Sequence, residues 1–242
     1  MQLKDKRALI TGAGALGGIG HEIARQFIAE GAVVLITGRD PARGAEAADA
    51  LGDRATFVLA DLTEPEAVDR LIEAAGEIDI LVNNATAIGR GNVVDSNLSG
   101  LDEVHLTNVR APYALTAGLV PGMASRESGS VINISSLVAG RGTPGMGSYA
   151  ASKAALESLT KTWAAELGGS GVRVNAVAPG PIRSAKNLTE YPEELDEFGK
   201  VTPLKRTGAT AEIAEVVTFL AGDRSSYVTG AVIPVDGGCR AV

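Results

Sequence analysis

The sequence predicts an α/β protein: one doubly wound domain with a seven-stranded parallel sheet and helices on both faces. Three observations lead there. Short apolar, β-branched runs alternate with longer segments whose apolar residues recur at helical spacing, the pattern of a parallel sheet covered on both sides. The first such run leads straight into a glycine cluster, Gly12-Ala-Gly14-Ala-Leu-Gly-Gly18-Ile19-Gly20, and from there into a helix. No linker, repeat or shift of composition divides the chain, so residues 1–242 are expected to form one domain.

Taken in order, Ala8-Leu-Ile-Thr11 is the first strand, and Ile23, Ala24, Phe27 and Ile28 mark the buried stripe of the first helix, which Gly31 closes. Residues 33–37 form the second strand, and Asp40-Pro41 reads as a helix cap with proline at the first helical position. A third strand at 56–59 precedes a capping box at Thr63 and Glu66, with a helix to about Ala75. Ile80-Leu-Val82 is the fourth strand, ending in Asn83-Asn84-Ala85. A continuous helix is expected from about Leu98 to Gly118, then a strand at 131–134 and a helix through Tyr149. A strand at 172–177 ends at Pro179-Gly180. A helix at about 210–220 and a strand at 232–235 complete the pattern.

Composition excludes several function classes. A net charge of −7 argues against a nucleic-acid surface, which needs clustered Lys and Arg. No stretch approaches the ~18 apolar residues of a membrane span. The opening Met-Gln-Leu-Lys-Asp-Lys-Arg leads into a strand rather than an apolar signal core, and the one cysteine, Cys239, has no internal partner. A cytoplasmic protein is expected. No His/Cys/Asp spacing suggests a metal site, so none is assigned.

The chemistry concentrates between Ser136 and Lys153. Ser135-Ser136 closes a buried strand, a Gly/Pro-rich loop follows, and Tyr149 and Lys153 stand four apart at the start of a helix, one turn apart on one face. An ammonium beside a phenol favours the phenolate and lowers a pKa that starts near ~10. Such a tyrosine can give or take a proton near neutral pH, and a strand-end serine can hold the oxygen being protonated. At the other end of the chain, strand, glycine loop and helix together form a dinucleotide cradle, with backbone amides and the helix dipole turned to a pyrophosphate.

Thr11-Gly12, Gly18-Ile19-Gly20, Asp61, Asn83-Asn84-Ala85, Asn108, Ser136, Tyr149-x-x-x-Lys153, Pro179-Gly180 and the segment from Tyr227 to Gly238 together resemble the short-chain dehydrogenase/reductase family, in its order and at its intervals. The resemblance spans essentially the whole chain and implies a Rossmann-type NAD(P)-binding domain and hydride transfer between nicotinamide and a ketone or secondary alcohol. It implies Tyr149 as general acid/base and Lys153 as the nicotinamide-ribose ligand that lowers the tyrosine pKa. Ser136 would position the carbonyl and Asn108 would support a proton-relay water. It further implies cofactor contacts from Gly12, Gly14, Gly18, Ile19, Gly20, Asp61, Leu62, Asn84, Ala85, Tyr149, Lys153, Pro179, Gly180, Ile182 and Ser184.

Two departures stand out. Five residues, Ala13 to Gly17, separate Gly12 from Gly18-Ile19-Gly20 where the family usually has three. That longer loop resembles the enoyl-reductase branch, whereas the Tyr149–Lys153 spacing points to a carbonyl or alcohol substrate, and the catalytic spacing is given the greater weight. Thr86 replaces the family's glycine after Asn-Asn-Ala, and a side chain there either crowds the cofactor or lines the site. Gly38 stands where an acid would meet the 2′-hydroxyl of NAD, and Arg39 follows it, so NADP(H) is preferred, with NAD(H) kept open.

Residues 185–203 match the family's substrate lid. Its acidic residues Glu190, Glu193, Glu194, Asp196 and Glu197 read as a solvated face. Places where carrier-protein reductases present arginines hold Glu127 and Ser170, with Arg126 nearby, which weakens an acyl-carrier substrate. His21 reads as a surface residue, His105 as structural and Cys239 as inert. The expected activity is NADP(H)-dependent reduction of a ketone, a 3-oxoacyl thioester or a small ketone, by a homotetramer or a dimer. Two alternatives remain: an NAD-dependent alcohol or sugar dehydrogenase, and a cofactor-sensing protein without catalysis.

Overall fold

In the computed structural model, which describes residues 1–95 and 98–242, strand and helix alternate from the start. The first half runs β1 (Arg7–Ile10), α1 (Ile19–Ala29), β2 (Val33–Gly38), α2 (Pro41–Leu51), β3 (Ala55–Leu59), α3 (Pro65–Ala75) and β4 (Ile80–Asn83). The second half continues with α4 (Leu98–His105), a π-helical turn (Leu106–Arg110), α5 (Ala111–Ser125), β5 (Gly129–Ile134), α6 (Gly147–Leu167) and β6 (Val172–Pro179). It ends with β7 (Ile182–Arg183), α7 (Ala185–Glu190), α8 (Pro192–Val201), β8 (Gly208–Ala209), α9 (Thr210–Ala221) and β9 (Val232–Val235).

Among the described residues, seven strands form one sheet in the order β3-β2-β1-β4-β5-β6-β9, and every neighbouring pair is parallel. The chain winds outward from β1 to β3, returns to β4 beside β1, and winds outward again. That reversal opens a crevice beyond the C-terminal ends of β1 and β4, the place where such sheets take ligands. β9 is the last strand on its side, and Pro234 sits within it.

Side-chain alternation divides the core in two. Ala8 and Ile10 of β1, with Ile36, Val82, Ile132 and Val177, face Ile23 and Phe27 of α1 and Ile213 and Val217 of α9. Leu9 of the same strand, with Leu35, Leu81, Val131 and Val174, faces Val68 and Leu71 of α3, Leu115 and Leu119 of α5 and Trp163 of α6. The strands read as nearly continuous apolar runs because both faces are covered.

The structure corrects three details. The helix expected over 98–118 is α4, a π turn and α5, which runs on to Ser125. The capping box at Thr63 and Glu66 does not form: Pro65 takes the first helical position and makes Glu64 the cap, while Thr63 donates its amide and hydroxyl to Asp61. A small parallel sheet of β7 and β8 was not signalled by any run of apolar residues. The cap at Asp40 does form, accepting from the amides of Ala42 and Arg43 at 3.0 Å.

Candidate active site

The glycine loop is held by the end of β4. Thr11 Oγ1 accepts from the amides of Asn84 and Ala85, both at 3.0 Å, and the Asn84 amide group donates to the carbonyls of Thr11 and Gly12. Gly12 has φ +66°, and a Cβ on it would lie 2.6 Å from Ala85 Cα, so only glycine lets the two strand ends approach. Gly14 is among the residues expected to contact the cofactor. It faces the Phe57 ring, which also packs under Gly44 of α2, and it does not line the cleft. The longer loop reaches the start of α7, where Gly17 O accepts from the Ala185 amide at 3.1 Å.

One cavity of about 390 Å³ runs from this loop to the catalytic candidates. Its walls include Gly12, Gly18, Ile19, Gly20, Arg39, Asp61, Leu62, Asn84 and Ala85 at one end, and Ser136, Tyr149, Lys153, Pro179, Gly180, Ile182 and Ser184 at the other. Arg39 pairs with Glu103 at 3.4 Å, both exposed, and Arg43 of α2 joins it at the cavity wall. No acid stands at the end of β2: Gly38 packs there against Gly14. Burial opposes ionisation of Asp61, but the Thr63 amide and hydroxyl, helped by the Arg39 charge, outweigh it and hold the carboxyl below its ordinary range. His21, read from the sequence as a surface residue, lies on α1 facing α2. It is half-buried between α1 and α2, bonded to the Ala47 backbone, and burial lowers its pKa.

At the catalytic end, β5 delivers Ser135 and Ser136 and α6 delivers Tyr149 and Lys153. The serines divide their work. Ser135 is buried, and its hydroxyl donates to Glu157 at 2.7 Å. Ser136 caps a 3₁₀ turn (Leu137–Gly140), and its hydroxyl faces Tyr149. Arg240 of the C-terminal tail, which the sequence reading passed over, donates to Ser136 O at 2.7 Å and to Glu157 at 2.8 Å. Lys153 is buried, its Nζ donates to Ile134 O at 2.8 Å and lies 5.7 Å from the Tyr149 ring centre. Burial pulls its pKa down to about 7.

Burial also raises the Tyr149 pKa, and hydrogen bonds to Ser136 and Thr86 offset this only in part. This departs from the expected lowering by Lys153: in this structure the dominant influence on the phenol is desolvation. Asn108 comes from the π turn and does not line the cavity. It is buried one layer behind, where its Oδ1 accepts from the Ala87 amide at 2.8 Å and its Nδ2 donates to Ala87 O and Ser152 Oγ. Thr86 bridges the two layers, because its hydroxyl donates to Asn108 Oδ1 at 3.3 Å and meets Tyr149 on the other side.

A second cavity, of about 760 Å³, shares Gly180, Ile182 and Asn187 with the first and opens under α7 and α8. Leu137, Val138, Met146, Leu195 and Phe198 give it an apolar lining. Arg90 lies over the Tyr191 ring at 4.3 Å, between the loop after β4 and the junction of α7 and α8. Glu190 of α7 and Glu193, Glu194, Asp196 and Glu197 of α8 are exposed, and Asp196 pairs with Arg183 at 2.8 Å. Arg126 lies at the opposite, N-terminal edge of the sheet, where it donates to Ile78 O and pairs with Glu77.

Among the described residues, no cluster of His, Cys, Asp or Glu could hold a metal, and no helix is long and apolar enough to cross a membrane.

Fold and cleft together define a dinucleotide-dependent oxidoreductase. The chain belongs to the short-chain dehydrogenase/reductase family. A family model described as enoyl-(acyl carrier protein) reductase matches residues 12–240. A 3-oxoacyl-[acyl-carrier-protein] reductase of Thermotoga maritima is 39% identical, over 98% of this chain and 99% of its own length. A solved structure of a short-chain dehydrogenase/reductase family protein superposes with a TM-score of 0.95 at 47% identity, covering both chains completely. A further structure, described as an NAD(P)-dependent gluconate 5-dehydrogenase from Beutenbergia cavernae with NADP bound at low occupancy, has a TM-score of 0.93 at 34% identity. It covers 100% of this chain and 99% of its own.

Proposed function

We propose that this protein is an NADP(H)-dependent ketoreductase that reduces a ketone, of the 3-oxoacyl thioester kind or a smaller apolar one, to a secondary alcohol. The observation that supports it best is convergence: Ser136, Tyr149 and Lys153 meet in one cavity with the glycine loop, and Asn108 backs them. The fit to a phosphorylated dinucleotide rests on Arg39 and Arg43 at one end, the absence of an acid at Gly38, and the close Gly12–Ala85 approach. NADP occupies the similar structure described above.

When bound, the nicotinamide supplies the hydride. The chain's own residues hold and protonate the oxygen. Ser136 donates to the carbonyl oxygen, and the Tyr149 hydroxyl gives it a proton as charge develops there. Lys153, whose ammonium titrates near pH 7, would hold the ribose end of the bound dinucleotide and pass a proton back to the Tyr149 phenolate. Gly12, Gly18, Ile19 and Gly20 would bind the pyrophosphate, Asp61 and Leu62 the adenine, and Pro179, Gly180, Ile182 and Ser184 the carboxamide side.

The apolar second cavity supports an apolar substrate flank, and the lid over it is assigned to residues 185–203. Arg126, spent at the far edge of the sheet, supports a free or coenzyme-linked substrate over a carrier-bound one. The 242 residues are read as one cytoplasmic domain that assembles as a homotetramer. Half-exposed Tyr113, stacked edge-on against Trp163, gives α5 and α6 an apolar outer face for that contact.

The test is oxidation of NADPH, then NADH, against 3-oxoacyl thioesters, cyclic ketones and diketones, with Tyr149→Phe beside the wild type. Tyr149→Phe is expected to bind NADPH yet lose roughly 10²–10⁴-fold in kcat. Turnover near the wild-type rate would remove Tyr149 from its role, and silence of the wild type with every ketone would overturn the reductase reading.

A further inference from the structure

Thr86 follows Asn83-Asn84-Ala85 at the end of β4, and the structure gives its hydroxyl two neighbours of consequence. On one side is Asn108 Oδ1, at 3.3 Å; on the other is the hydroxyl of Tyr149. The direction of the first bond is fixed. Asn108 Nδ2 must donate, because it faces Ala87 O at 2.9 Å and Ser152 Oγ at 3.0 Å, so Oδ1 must accept. Thr86 therefore gives its one proton to Asn108 and turns its lone pairs to Tyr149.

Loss of the phenol proton changes that balance. The Thr86 hydroxyl then has a choice between a neutral amide oxygen at long range and an anionic oxygen, and the charge-assisted bond is the stronger. Rotation about one bond is enough. Asn108 Oδ1 is not orphaned by it, because the Ala87 amide still donates at 2.8 Å. The other groups facing the phenol are Ser136, from the end of β5, and Lys153, on its own helix and tied to Ile134 O. Ser136 must attend to the carbonyl oxygen during turnover, which leaves Thr86 as the hydroxyl free to follow the tyrosine.

We propose that Thr86 is a further catalytic residue: held by Asn108 in the resting site, its hydroxyl turns to donate to the Tyr149 oxygen as that oxygen gives up its proton. The inference rests on Tyr149 being the proton donor of the proposed reduction.

The experiment compares Thr86→Val, of like shape without the hydroxyl, with Thr86→Ser in the full-length protein. The primary reading is the near-ultraviolet phenolate titration of Tyr149, isolated by subtracting Tyr149→Phe, and it needs no substrate. In Thr86→Val the titration is expected to move up by about one pH unit, with the pH profile of kcat moving the same way and NADPH affinity changing less than about twofold. Thr86→Ser is expected to bring the titration most of the way back. If Thr86→Val fails to fold, Thr86→Ala takes its place in the same comparison. Titration of the hydroxyl-free variant together with the wild type would overturn the inference while leaving the reductase reading intact. Full turnover by Tyr149→Phe would remove Tyr149 as the proton donor on which the inference rests, while the titration would still decide whether Thr86 meets the phenol.

Discussion

The two halves of the cleft are built on different principles. The glycine-loop half stands on strand ends: Gly12 is pressed against Ala85, Asn84 bonds two carbonyls of the loop, and little of the geometry is left to side-chain choice. The substrate half is roofed by two short helices, six and ten residues long, and closed at its mouth by a cation lying on an aromatic ring. The first half is fixed by strand ends that Thr11 and Asn84 tie to the loop backbone, the second by side-chain contacts made to the two short helices. A reaction shared across a family needs the former, and a particular substrate is chosen by the latter.

Substitutions on either side should separate the halves. The largest effect is expected at the junction, from Lys153→Met, with kcat reduced roughly 10²-fold or more. The same change should alter stability with a definite sign. Lys153 has a folded-state pKa of about 7, below its unfolded value, so the unfolded chain binds more protons and stability rises with pH from about 7 to about 10.5. Below that window the burial penalty is present in full, and above it the penalty is gone. Lys153→Met should therefore melt higher than wild type at pH 7, by a margin that shrinks toward pH 10. A margin that grows with pH would contradict the buried-ammonium account.

A smaller effect, confined to the loop half, is expected from Arg39→Ala. Loss of one charge-assisted contact should cost roughly 1.5–3 kcal/mol of NADPH binding, a factor of ten or more, with NADH binding little changed. Equal losses for both cofactors would assign Arg39 to its pair with Glu103 instead. The smallest effect should come from the lid. Arg90→Ala removes an exposed cation–π contact of about 0.5–1 kcal/mol, so KM for the ketone should rise about two- to fivefold with cofactor affinity unmoved. A change in cofactor affinity would mean that the halves are coupled more tightly than their construction suggests.

The same division governs what could be read in the sequence. The inner strands β1, β2, β4, β5 and β6 are legible because burial on both faces leaves largely apolar runs, and the edge strands β3 and β9 as short β-branched segments. Tyr149, Lys153 and Ser136 are legible because helix and strand geometry fix their spacing. The π turn that carries Asn108 is not, since one added backbone residue per turn leaves no trace in composition. Nothing in a linear motif shows that Phe57, more than forty residues later, will lie against Gly14. The capping box at Thr63 failed because Asp61 takes the Thr63 amide and hydroxyl and Pro65 starts the helix one residue later, which a three-residue spacing rule ignores. Thr86 could be noticed, but its meaning waited on the position of Asn108.

The sheet's last strand has one more consequence. β9 turns the carbonyls of Ala231 and Val235 inward to Ala176 and Gly180, so the alternate residues, Pro234 among them, present their backbone to the free edge. The ring of Pro234 replaces the donor that an added strand would need there. The sheet is thus finished as well as ended: a neighbouring chain that comes alongside β9 meets side chains, and the ladder does not pass from one molecule to the next.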